Sequence, residues 1–147
     1  MDNLLPNESL NPNKKALLNA RLQQEQLKKK LLLEKAGSDL FLFNRHVLKA
    51  EEGDDKFVAL VDFHKEMCHQ VQDNRTKKKL ILIPRNHLKT KLISVGYSLF
   101  RIIENPKVRI LIYSATWQMA VDIISQIQKQ LAGNQILIDL YGQLQPG

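Results

Sequence analysis

The residues of this chain best placed for chemistry lie in "KKKLILIPRNHLKTKLISVGYSLF", residues 77–100. Here Arg85, His87 and Lys89 follow an apolar run that stops at Pro84, and Thr90 comes directly after the lysine. A lysine followed by a hydroxyl residue at the first turn of a helix suits the binding of a triphosphate. The ammonium reaches the β- and γ-phosphates, the hydroxyl takes a place on Mg2+, and backbone N–H groups converge on the phosphate oxygens. The general pattern GxxxxGK[ST] is only half met: Leu88 stands where the second glycine belongs, and neither glycine is present. The residues alone leave two readings open, a phosphate-binding loop and a basic surface turn.

The flanking patterns predict the elements that would hold such a loop. "KLILIP", residues 79–84, is a short continuous apolar run of the kind that fills a buried strand, and Pro84 ends it because proline cannot donate to a sheet ladder. "TKLISVGYSLFRIIEN" has helical spacing and stops at Asn105 and Pro106. "VRILIYS", residues 108–114, repeats the strand pattern, and "TWQMAVDIISQIQKQLAGN" repeats the helix, closing at Gly133 and Asn134. Strand, helix, strand, helix predicts an α/β fold with a parallel sheet and right-handed crossovers. In such sheets ligands bind at the carboxyl ends of the strands, where the residues after Ile83 would sit.

Upstream, Asn11 as N-cap, Pro12 at the first helical position and Gly37 past the end bracket one long helix, with Leu18, Leu22 and Leu32 spaced for one face. A second helix is expected after Ser38 or Asp39, in "DLFLFNRHVLKAE", before a loop at "EGDD" that contains Gly53. A third is expected in "KFVALVDFHKEMCHQVQDN". Its His64 and His69 are five residues apart, which is not the i, i+4 spacing of a helical metal pair. Cys68, the single cysteine, excludes an internal disulfide and reads as a buried thiol. The division predicted is a helical arm over residues 1–56 and a second unit over 57–147.

Composition sets the class. A chain of 147 residues, 44% hydrophobic and 25% charged, is one domain long with room for an appendage. No apolar run approaches the roughly 20 residues that span a bilayer, so no membrane association is expected. "MDNLLPNESLNPNKK" lacks the apolar stretch of a signal peptide. The net charge of +7 suits a polyanionic partner, and it is spread along the chain rather than held in one tail.

"LILIPRNHLKTKL", followed by "NPKVRILIYSATWQMAVDIISQIQKQLAGN", resembles the N-terminal ATPase region of the large terminase subunit of tailed bacteriophages. That family carries a deviant phosphate loop P-R-x-x-x-K-[S/T], then N-P-x-x-R-I-L-I with a small-residue turn and an alanine-bearing helix. "LVDFHKEM" also resembles its segment before the loop, and the likeness covers roughly residues 57–141. The resemblance implies an N-terminal fragment of an ASCE-type P-loop ATPase domain, preceded by a helical arm and ending before the Walker B strand. It implies ATP and Mg2+ as cofactors and a loop formed by Pro84, Arg85, Asn86, His87, Leu88, Lys89 and Thr90. Lys89 would bind the β/γ-phosphate, Thr90 would coordinate Mg2+, and Arg85 would act catalytically by sensing or stabilising the γ-phosphate. Asn86 and His87 would supply mainly backbone amides, with a direct phosphate contact the alternative for His87. Ser114 and Thr116 resemble a motif that couples to or touches DNA, with helix capping the alternative for Thr116 and core packing the ordinary fate of Trp117.

The parent that the resemblance implies is a motor that moves double-stranded DNA into a procapsid in the host cytoplasm. Its partners would be the portal protein and the small terminase subunit, with further copies of itself in a ring. The family's Walker B acids and nuclease carboxylates have no counterpart here: "QILIDLYG" offers Asp139 after an apolar run but no second acid. The expected consequence is a fragment without its ATPase base. A helicase-like translocase and a non-catalytic basic adaptor for nucleic acid or protein are the alternatives.

Overall fold

The structure, a computed structural model, describes residues 12–48 and 60–144. Asn11, the "EGDD" loop, the expected division at residues 56 and 57, and the last three residues lie outside the described residues. The chain divides into two units, one ending at Leu32 and one beginning at Leu33.

The first unit is carried by α1, Pro12–Ala36, which starts on proline and stops just before Gly37. Proline suits a first helical position because its missing N–H would have had no partner there. At about 100° per residue, Leu18, Leu22 and Leu32 fall on one side, whereas Leu27 and Leu31 fall roughly opposite. Leu17, Leu18, Leu22, Leu27 and Leu31 are all about half exposed, so these leucines form no single buried stripe.

The second unit is a helical cluster. Asp39 caps α2, Leu40–His46, by accepting the Leu42 N–H at 3.0 Å. α3 spans Asp62–Gln72. A π-helix over Thr90–Tyr97 continues directly into α4, Ser98–Glu104. α5, Trp117–Gly133, and α6, Gln135–Tyr141, complete it. The core joins Leu40 and Phe43 of α2, and Val47 just past its end, to Met67, Cys68 and Val71 of α3 and to Leu92, Val95 and Leu99 of the helix pair. Ile123, Ile127 and Leu137 close it from α5 and α6. Phe43 and Phe100 meet edge to face with centroids 5.6 Å apart. Cys68 is fully buried, as expected, and burial pushes its thiol up to about 11.

Two buried asparagines tie helices together. Asn134 donates from Nδ2 to the Val47 carbonyl at 2.6 Å, while its Oδ1 accepts the N–H groups of Ile136 and Leu137 at the start of α6. Asn44 lies against Gly96 of the π-helix and donates from Nδ2 to the Leu92 carbonyl at 3.4 Å, and its Oδ1 has no partner. A Cβ at position 96 would stand 1.8 Å from that oxygen, so only glycine leaves room for Asn44.

The expected α/β parallel sheet is overturned. Among the described residues 68% are helical, and no strand or sheet is present. Residues 79–84 and 108–114, expected as buried strands, are irregular segments with alternating burial. Ile81, Ile83 and Ile112 are half-buried against the core. Leu80, Leu82, Leu111 and Tyr113 are 84%, 82%, 93% and 96% exposed. A continuous apolar run predicts a strand covered on both faces; here the helices cover one face, and neither run has a ladder partner among the described residues. "QILIDLY", which offered no Walker B counterpart, forms α6, in which Gln135 donates to the Asp139 carboxylate at 2.6 Å. No described helix is long and apolar enough to cross a membrane.

Candidate functional site

The path to the loop is set at the end of α3. The Lys79 ammonium donates to the carbonyls of Gln70 at 2.6 Å, Val71 at 2.8 Å and Asp73. The last carbonyls of a helix have no intrahelical donor and sit at the negative end of its dipole, so a lysine there satisfies both demands. The run from Leu80 therefore leaves from a fixed point. Ile81 and Ile83 turn toward the core and carry the chain to Pro84, which is exposed.

Beyond Pro84 the backbone turns twice through the left-handed region, at Asn86 (φ 67°) and Leu88 (φ 53°). Asparagine tolerates that region, but a leucine there is uncommon. Such residues alternating with right-handed ones aim successive N–H groups into a concavity that favours anions. Lys89 folds back across the loop, its Nζ 3.5 Å from the Ile83 carbonyl. Arg85, Lys89 and Thr90 are exposed, and no side chain caps the π-helix that starts at Thr90.

The loop is braced from α3. The His87 ring meets Phe63 edge to face, with centroids 6.1 Å apart, and its Nδ1 donates to the Arg85 carbonyl at 2.9 Å. Phe63 meets His64 in the same way at 5.5 Å. His64 accepts the Val61 N–H on Nδ1 at 3.2 Å. Burial, and then the neighbouring His87 imidazole, lower the pKa of His64, so both favour its neutral form.

The second turn is built differently. Thr116 caps α5 by accepting the Met119 N–H at 3.3 Å, so its hydroxyl performs the capping role. Ser114 is half-buried just before it. Trp117, expected to pack, is 83% exposed.

The seven loop residues are thus consecutive at one exposed turn, and Ser114 and Thr116 belong to the other. Sequence reasoning missed Phe63 and Lys79 as supports. Lys79 carried a usable signal, a lysine shortly after a helix end, whereas nothing in the spacing announces that Phe63 meets a histidine 24 residues later. Among the described residues no three His, Cys, Asp or Glu side chains gather to hold a metal. Thr90 fits the weaker demand of a Mg2+ held largely by phosphate oxygens and water, to which the protein adds one or two ligands. No family model, no curated protein and no solved structure matches this chain.

Proposed function

We propose that Pro84–Thr90 binds the phosphates of ATP with Mg2+, and that the chain is the N-terminal ATPase part of a large terminase subunit. In that reading the parent moves double-stranded DNA through a portal protein into a procapsid in the host cytoplasm, as a ring recruited with the small subunit. The reading rests on the geometry of the loop itself and on the resemblance of residues 57–141, and not on the parallel sheet, which is absent among the described residues. The observation that carries it is the pair of left-handed residues, Asn86 and Leu88, with the Lys89 ammonium folded back to the Ile83 carbonyl at the start of the loop. Loop amides aimed by left-handed residues, a helix start without a side-chain cap and a lysine within reach meet the three demands of a polyphosphate.

Each side chain then has a distinct task. Lys89 turns from the Ile83 carbonyl to the β/γ oxygens, a move that its long stem and weak 3.5 Å contact permit. Arg85, on the opposite end of the loop, reaches the γ-phosphate and stabilises charge that develops on its equatorial oxygens. Thr90 offers its hydroxyl to Mg2+, which when bound neutralises charge between the β- and γ-phosphates.

The test is a calorimetric titration of the chain with Mg2+ and ATP. Lys89→Ala should weaken binding about ten- to a hundredfold, because a charge-assisted contact is worth about 1.5–3 kcal/mol. Lys78→Ala deletes an equal charge from an exposed site outside the loop and should be silent. Equal, mild and salt-sensitive losses on nucleic acid in both variants, with no response to ATP, would establish a basic turn and overturn the proposal.

A further inference from the structure

The loop adopts left-handed backbone at a leucine, where phosphate loops rely on glycine. Resting on the phosphate-binding reading above, we infer that the side chains of His87 and Leu88 are positioning groups that brace the loop in its binding form and do not themselves touch the phosphates. A leucine at φ 53° suffers a steric clash that glycine escapes, so the conformation persists only where the surroundings impose it. Two contacts impose it at Leu88. Its side chain packs against the hydrophobic core, and its carbonyl accepts the N–H of fully buried Leu92 at 2.9 Å.

His87 is held at two points as well. Its ring leans on Phe63, and its Nδ1–H is given to the Arg85 carbonyl. With Nδ1 committed inside the loop and the ring against Phe63, the side chain contributes shape. The bridge to the Arg85 carbonyl fixes the peptide before Asn86, and the Leu88 carbonyl, bound by Leu92, fixes the one before Lys89. Between them the loop gains by side-chain anchorage the order that a glycine-rich loop acquires when its ligand arrives.

Steric reasoning alone would make Leu88→Gly harmless or helpful. Anchorage reverses the sign: the glycine variant loses the core contact and gains freedom that binding must then remove. Leu88→Gly should weaken binding of Mg2+-ATP to the full chain about three- to tenfold. Leu88→Met, unbranched at Cβ and similar in volume, should restore it to within about twofold. Amide hydrogen exchange over residues 85–91 should quicken in the glycine variant before any nucleotide is added. At His87 the pair is His87→Ala and His87→Asn, because an asparagine amide can still donate to the Arg85 carbonyl without offering the outer ring nitrogen. Retained affinity in His87→Asn beside a loss in His87→Ala supports positioning, and an equal loss in both indicates direct contact and overturns it. Where Leu88→Gly fails to fold, the exposed His87 pair decides alone. Wild-type chain that does not bind Mg2+-ATP overturns the phosphate-binding reading and this one together. Binding by wild type that Leu88→Gly leaves unchanged, with unchanged exchange, overturns this inference only.

Discussion

Two turns of this chain look alike in sequence and are built on opposite principles. Each follows an apolar run, "LILIP" or "RILIY", and each opens a helix. At the second, Thr116 satisfies a backbone N–H of α5, and an ordinary right-handed α-helix begins. At the first, no side chain caps the helix, two residues are left-handed, and the helix starts in the wider π form. On the proposed reading, the difference marks where the chain keeps polar groups for a ligand. A capped helix start has consumed its own binding capacity, whereas an uncapped one beside a lysine has kept it.

The contrast continues into the helices that the two turns open. A buried asparagine ties each to α2 or to the residue just past it, but the π-helix accommodates Asn44 only because residue 96 is glycine, and Asn44 Oδ1 is left without a partner. π-form segments within helices often mark functional sites, and here the wide turn admits a side chain from α2. The largest effect is therefore expected from Gly96→Ala. Its Cβ would overlap the Asn44 amide in a packed core, at a cost of about 3 kcal/mol, read as a lower urea midpoint. Adding Asn44→Ala should recover much of that loss. A neutral Gly96→Ala would break the comparison by showing that Asn44 does not occupy the turn.

At the far end of α5 the corresponding tie is fully satisfied. Asn134→Ala removes the cap of α6 and leaves the Val47 carbonyl without its donor, which should cost about 2 kcal/mol by the same urea measurement. A loss below about 0.5 kcal/mol, the range of ordinary surface changes, would mean that water replaces the amide and that this tie is ornamental.

Most helices were legible because their signals are local. Pro12, Asp39 and Thr116 stand at starts, Gly37 stands just past an end, and each acts within a turn of its own position. "LILIP" and "RILIY" misled for a physical reason: an apolar run reports that burial is favourable but not what covers each face, and a strand requires a backbone partner that periodicity cannot name. "QILIDLY" offered only an apolar run before Asp139 and no Walker B counterpart; that Asn134, which closes α5, also caps α6 was not read from it. In the loop the positions of Lys89 and Thr90 were readable from spacing. The conformation of Leu88 was not, because it depends on core residues such as Leu92 rather than on its neighbours alone.

The smallest effects give the finest test, because the two turns each carry one threonine at the start of a helix. Thr116→Ala deletes a cap and should cost about 1 kcal/mol. Thr90 is exposed and caps nothing, so Thr90→Ala should stay within about 0.5 kcal/mol of wild type. Thermal melts of the two variants side by side measure this difference directly. The Mg2+ dependence of ATP binding should behave in the opposite way, falling in Thr90→Ala and unchanged in Thr116→Ala. Equal stability losses in the two variants would make Thr90 a second cap and would remove the distinction between the turns. A stable Thr90→Ala with unaltered Mg2+ dependence would keep the distinction but take the metal away from Thr90. One pair of substitutions thus separates the hydroxyl that holds the fold from the hydroxyl that the fold leaves available.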